Sequence, residues 1–207
     1  MVISGQTGSG KTRFVFKLLQ HFNVMYGKDP PDKILYCYGI HQDLFDDMEK
    51  TIPGITFLKG IPTPDTIDDF TREKRHRLVI IDDLGHEVVK NQEMELIFTQ
   101  GCHHRKLSCI FLNQNLYLGG SKARTIALNT TYLILMKNLR DVSQISMLGR
   151  QIYPGRRHLL MEAYRDANSK PFGYLVLDLA AHVSDTYRLR TRVFPNEDPI
   201  IYVPKHS

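Results

Sequence analysis

The chain alternates short apolar runs with longer stretches in which apolar residues return every three or four positions. The runs read as strands: "MVIS" at the start, "KILYCYG" at 33–39, "RLVIIDD" at 77–83, "LSCIFLNQ" at 107–114, "TYLILMK" at 131–137 and "GYLVLDL" at 173–179. Helical spacing lies between them. "TRFVFKLLQHF" puts Phe14, Val15, Leu18, Leu19 and Phe22 on one face. Further helices are predicted over 42–50, 65–75, 91–102, 121–128, 141–152 and 157–166, the one at 141–152 opening on Asp141 as N-cap and stopping before Pro154. This alternation predicts an α/β fold, a mostly parallel central sheet flanked by helices on both faces. No repeat, low-complexity tract or linker interrupts it, and 207 residues suit one domain over 1–207. Residues 183–207 read as an extension or edge-strand segment. There "TYRLRTRVFP" alternates Arg188, Arg190 and Arg192 with apolar neighbours, which fits a solvated edge strand or a basic strip contacting phosphates.

Composition narrows the class. Hydrophobic residues make up 42% and charged residues 24%, a globular balance, and no apolar run approaches the roughly 20 residues that span a bilayer. The opening residues lack a basic region followed by an apolar one, so the reading is a soluble, intracellular protein that is not secreted and has no membrane partner. Cys37, Cys102 and Cys109 are an odd and sparse set, expected to be reduced thiols used in packing. A net charge of +5 and a pI near 9.1 admit a polyanionic partner, nucleic acid among them.

The candidate chemistry begins at once. Gly5, Gln6, Thr7, Gly8, Ser9, Gly10, Lys11 and Thr12 fit the pattern G-x-x-x-x-G-K-[ST] between the first strand and the first helix. Glycines let the backbone turn its N–H groups toward phosphate oxygens, and the helix that follows offers its positive end. Lys11 is expected at the β- and γ-phosphates of ATP, and Thr12 at Mg²⁺. Met1 stands at the start of the first strand, so either that strand is short or the natural chain begins further upstream.

"RLVIIDDLG" then ends an apolar strand on Asp82 and Asp83, where a P-loop ATPase places its second acidic motif. Asp82 is expected to hold Mg²⁺, directly or through water, and Asp83 to polarise the attacking water, a task more often given to the longer Glu. Asp82 to Gly85 also reads D-x-x-G, as in a GTPase switch. However, "KNLRD" at 137–141 has the wrong order and spacing for a guanine-recognition motif. A strand inserted between the phosphate-loop strand and the acidic strand would bring the end of "SCIFLNQNL" beside the γ-phosphate, and Gln114, ahead of Asn113, is expected to sense or position the water there. "GCHHRKLS" supplies Arg105, the first choice for an arginine finger reaching a neighbouring subunit; Arg124, Arg140 and Arg150 compete. A zinc site from Cys102, His103, His104 and Cys109 lacks the usual paired ligand spacing.

Taken together, "GQTGSGKT", "VIIDDL", "GCHHRKLSCIFLNQNLYLGGSKARTIALNTTYLILMKNLRD", "LGRQIYPG" and "DANSKPFGYLVLDL" closely resemble the packaging ATPases of Polinton/Maverick elements and adintoviruses, relatives of the poxvirus-type genome-packaging ATPases in the FtsK–HerA superfamily. The resemblance covers nearly the whole chain; the first two motifs are generic, and the central block and tail are the specific part. It implies a RecA-like P-loop motor that assembles into a ring, a hexamer or pentamer, binds ATP and Mg²⁺ between subunits, and threads double-stranded DNA into a capsid. Capsid or portal-vertex proteins are then partners, and the setting is the host nucleus or cytoplasm where virions assemble. Position by position, Lys11 and Thr12 match the Walker A pair, Asp82 and Asp83 the Walker B pair, Gln114 the polar strand-end residue and Arg105 the finger. The chain departs from the pattern in its second acid, which is often Glu elsewhere in the superfamily, and in the residues that frequently precede the first strand.

A DNA-contacting loop is sought in "LYLGGSKART" (116–125), where Lys122 and Arg124 follow two glycines. Two other readings stay open: a phosphotransferase of the nucleoside or nucleotide kinase kind, and a hydrolysis-poor ATP-binding scaffold.

Overall fold

Every residue of the strand Arg77–Asp82 is buried, the pattern of a strand covered on both faces. It belongs to a computed structural model that describes residues 1–90, 106–116, 129–140 and 142–204. The helices expected over 91–102 and 121–128, and the Asp141 cap, lie outside the described residues. These form two compact units: one holds 1–11, 114–116 and 130–204, and the other 12–90, 106–113 and 129.

The second unit is built on four strands, β2 (Lys33–Tyr38), β3 (Ile55–Lys59), β4 (Arg77–Asp82) and β5 (Leu107–Asn113), in the order β3-β2-β4-β5 with every pairing parallel. The register sets Tyr38 opposite Asp82 and Asp82 opposite Leu112. Helix α1 (Lys11–Gln20) buries Phe14, Val15, Leu18 and Leu19, the face its spacing predicts, and a short α2 (Phe22–Met25) adds Phe22. Helix α3 (Leu44–Thr51) buries Phe45 and Met48. Helix α4 (Pro64–Thr71) begins where Thr63 caps it, Oγ1 accepting from Thr66 N at 3.2 Å, with proline in the first turn. The one-and-a-half-turn α5 (Gly85–Lys90) follows β4.

Strand β3 is absent from the expectations, because "ITFLK" is only partly buried and its single partner among the described residues is β2. At the start of β4, the 1% exposed Arg77 pairs with Asp32 and with Glu73 Oε2 (2.7 Å), donates to Phe70 O (3.1 Å) and lies 5.9 Å from the Phe70 ring centroid. A cation this deeply buried persists because each of its three nitrogens donates to an oxygen, two of them on carboxylates. His76 beside it links Asp29 O (2.6 Å) to Ser108 Oγ (2.7 Å), which ties β5 to the loop before β2.

The first unit is built on β1 (Val2–Ser4), parallel to β6 (Tyr132–Met136), with β7 (Tyr174–Asp178), β8 (Leu189–Thr191) and β9 (Ile200–Ile201) added antiparallel in that order. Helices α6 (Val142–Ile152) and α7 (Arg157–Ala167) match their predicted bounds to within a residue and pack on one another. Tyr164 of α7 fastens β6, its Oη donating to Met136 O (3.1 Å) and accepting from Asn138 N (2.8 Å).

The stretch expected as an edge strand forms β8, with the two-residue β9 paired outside it. Arg188 turns inward, donating to Asp178 O and Ala180 O at 3.0 Å, and Arg190 pairs with Asp178, so both are engaged within the unit. The fold is α/β with mostly parallel pairing, as the alternation of apolar runs and helical spacing predicts. Among the described residues no helix is long and apolar enough to cross a membrane.

Candidate functional site

In the first unit, β1 runs straight into the glycine-rich loop. Gln6 anchors it, its N–H donating to Lys137 O (3.2 Å) and its Oε1 accepting from Leu139 N (3.0 Å), while Ser9 N donates back to Gln6 O (3.1 Å). Gly5 allows the closure, since a Cβ there would fall 2.6 Å from Ser9 Oγ and 2.8 Å from Met136 Cβ. Gly10 has φ +98°, a left-handed backbone that favours glycine. Lys11 arches over the loop and donates to Gly5 O (2.7 Å) and Gln6 O (3.2 Å). Thr7 and Gly8 are exposed at the crown, and nothing lies within 4 Å of a Cβ built on Gly8.

The result is a loop whose crown is open, with a cation folded over it and a helix N-terminus at its end. It is chemically suited to a chain of phosphates. Ser9 Oγ, buried without a hydrogen-bond partner, adds one unsatisfied polar group to the cradle.

In the second unit, Thr12 and Asp82 meet across seventy residues of sequence: Thr12 Oγ1 donates to Asp82 Oδ2 at 3.3 Å. A third partner completes the group. Tyr36 Oη donates to the same oxygen at 2.7 Å, with Tyr36 fully buried and Asp82 3% exposed. The ring is held between Phe45 of α3 (centroids 5.0 Å apart) and Phe57 of β3 (5.2 Å). Burial raises the Tyr36 phenol well above its ordinary value, and the Asp82 charge and the bond to it push the same way, so the hydroxyl stays a donor. A hydroxyl and a carboxylate brought together are hard oxygen ligands, the donor set that Mg²⁺ takes.

Asp83 is exposed with φ +56°, a left-handed turn made as the chain leaves β4, and its N–H donates to Leu112 O (3.3 Å). At the end of β5, Asn113 is buried and Gln114 is exposed, with Gln114 O accepting from Asn138 Nδ2 at 3.3 Å. Arg140 is exposed, and its N–H donates to Asn138 Oδ1 (3.1 Å). Arg150 lines a cleft of about 300 Å³ on α6 and α7 together with Arg157, His158 and Arg165. Arg105, Lys122 and Arg124, and Cys102, His103 and His104, lie outside the described residues. Cys37 and Cys109 are buried and form no disulfide among the described residues, and burial pushes the Cys37 thiol up to about 12.

Sequence reasoning missed Tyr36. The available signal was a tyrosine inside the apolar run "KILYCYG", since a buried phenol must find an acceptor.

No known family profile matches the sequence, and no curated protein is similar to it. Solved structures are similar in fold. One is B204, the DNA-packaging ATPase from Sulfolobus Turreted Icosahedral Virus, 13% identical, with a TM-score of 0.59 over 99% of this chain and 97% of that one. A second is the genome packaging NTPase B204 from Sulfolobus turreted icosahedral virus 2 in complex with sulfate, 13% identical, with a TM-score of 0.51 over 100% and 96%. A third is EssC (ATPases 2 and 3) from Geobacillus thermodenitrificans, 14% identical, with a TM-score of 0.58 over 100% of this chain but 40% of that one. The shared feature is the fold.

Proposed function

We propose that this protein is an ATP-driven translocase of double-stranded DNA, of the kind that packages a viral or Polinton-like genome into a capsid. The observation that carries the ATPase reading is the Thr12 hydroxyl 3.3 Å from the Asp82 carboxylate, paired across the chain as a shared Mg²⁺ requires. The backbone of Gly5 to Thr12 cradles the phosphates, and Lys11 leaves its two carbonyl acceptors for the β- and γ-phosphates. Thr12 and Asp82 would hold Mg²⁺, which would supply charge neutralisation at the phosphates. Asp83 takes the proton of the attacking water and Gln114 orients that water. Tyr36 fixes the Asp82 carboxylate through their 2.7 Å bond.

The DNA half of the proposal is supported by two things. This chain matches a DNA-packaging ATPase over nearly the full length of both, and its central block and tail resemble the Polinton/Maverick and adintovirus enzymes. In that reading ATP sits at subunit boundaries of a ring, Arg105 reaches the neighbour's γ-phosphate, Lys122 and Arg124 touch the DNA backbone, and capsid or portal proteins receive the motor.

The test is steady-state ATP hydrolysis by the purified protein with and without double-stranded DNA, beside Lys11→Ala. Turnover stimulated by DNA and lost in Lys11→Ala is the expected result. Turnover indifferent to DNA but raised by a nucleoside would replace the motor with a phosphotransferase, and tight ATP binding without turnover would replace it with a scaffold.

A further inference from the structure

Against the phosphate loop of the first unit rests a large aromatic side chain that is not part of any core. Phe172 is 57% exposed, and a Cβ placed on Gly10 would lie 2.8 Å from its Cδ1 and 3.5 Å from its Cγ. The ring therefore takes up the space that a side chain at Gly10 would occupy. Its backbone has φ +59°, an outlier for a bulky residue. The turn between α7 and β7 enforces this geometry: Gly173 N donates to Lys170 O at 3.2 Å, and a Cβ on Gly173 would fall 2.2 Å from Ala167 O. Burial does not account for the arrangement, because more than half of the residue faces solvent. Left-handed backbone at bulky residues clusters at functional sites and ligand clamps, and here it sets the ring against the phosphate loop.

We propose that Phe172 is the base-side wall of the nucleotide site, the face on which the ring of a bound nucleoside triphosphate stacks. The inference rests on the reading of Gly5 to Thr12 as a phosphate loop and adds the part of the ligand that this loop does not touch. The loop and Lys11 recognise phosphates, which every nucleotide and inorganic triphosphate share. Phe172 recognises the base. A plain phenyl ring offers a π-face and no hydrogen bond, so it ranks ligands by the size of the base, purine above pyrimidine.

The experiment measures binding of the full chain, with Mg²⁺, to ATP, CTP and inorganic tripolyphosphate by calorimetry. Phe172→Ala should weaken ATP by about ten- to a hundredfold, reduce its advantage over CTP, and leave tripolyphosphate within about twofold. The sequence contains no tryptophan, so Phe172→Trp gives a single indole whose emission should change on adding ATP and stay constant with tripolyphosphate. Equal losses of ATP and tripolyphosphate in Phe172→Ala would mean that the ring only shapes the loop, and an unchanged ATP affinity would mean that it does not meet the base; either overturns the inference while the phosphate loop stands. A wild-type protein that binds neither ligand overturns the loop and the inference together.

Discussion

A single oxygen, Asp82 Oδ2, receives two hydroxyls, those of Tyr36 and Thr12. The Tyr36 bond is buried and its acceptor is a carboxylate, conditions under which a hydrogen bond contributes most. Tyr36→Phe keeps the ring between Phe45 and Phe57 and removes only that donor. It is expected to lower unfolding stability by about 1.5–3 kcal/mol, read as a shift in urea midpoint with an unchanged slope.

Residues of the candidate site differ in how far the sequence reveals them. Gly5 to Thr12 is legible because its chemistry is local: a strand, a turn and a helix N-terminus lie within a dozen positions. Asp82 is legible because a buried strand ending on an acid is itself a signal. Tyr36 and Phe172 are not, since their roles depend on which strand lies next to β4 and which turn lies next to Gly10, and no spacing along the chain records those neighbours.

The same division holds for whole elements. Strands such as β4 and β5, apolar at nearly every position, and helices such as α6 and α7, with a regular apolar face, were read nearly to their ends. Strand β3 was not, because half-burial leaves "ITFLK" without either signature.

The start of β4 carries a testable electrostatic consequence. The hydrogen bond from Arg77, the largest influence, holds the Asp32 carboxyl below the ordinary 3.8 of an aspartate, assisted by the charges of Arg77, Arg75 and Lys33 and opposed by desolvation. A depressed acid stabilises the fold at pH values above its unfolded-state pKa, and the contribution disappears as pH falls through the lower folded value. Thermal stability of the native chain should therefore drop below about pH 3.8 more steeply than that of Asp32→Asn. Parallel curves across that range would show that the Asp32–Arg77 pair contributes nothing through ionisation.

At the scale of the molecule, the chain carries a net charge of +5, and Arg150, Arg157 and Arg165 line one cleft with His158 and a single carboxylate, Glu162, on α6 and α7. Among the described residues these three arginines make no ion pair with a carboxylate. If the proposed translocase reading holds, the chain grips DNA through its phosphates, and each such contact adds about 0.9 to the salt slope of binding. Replacing Arg150 and Arg157 with Ala should weaken binding to duplexes of any sequence alike and flatten the slope by about 1–2. An unchanged slope would remove this face from the DNA path and leave "LYLGGSKART" as the segment to test.

Asp83 turns with φ +56° as the chain leaves β4, and this bears on why the second acid is short. Aspartate tolerates a left-handed backbone better than glutamate does, because its carboxylate can bond locally to the main chain. The two residues are near neighbours in the genetic code, yet the backbone separates them. Exchanging Asp83 for the longer acid would therefore carry a backbone cost at this turn, which ties the identity of the residue to the path of the chain.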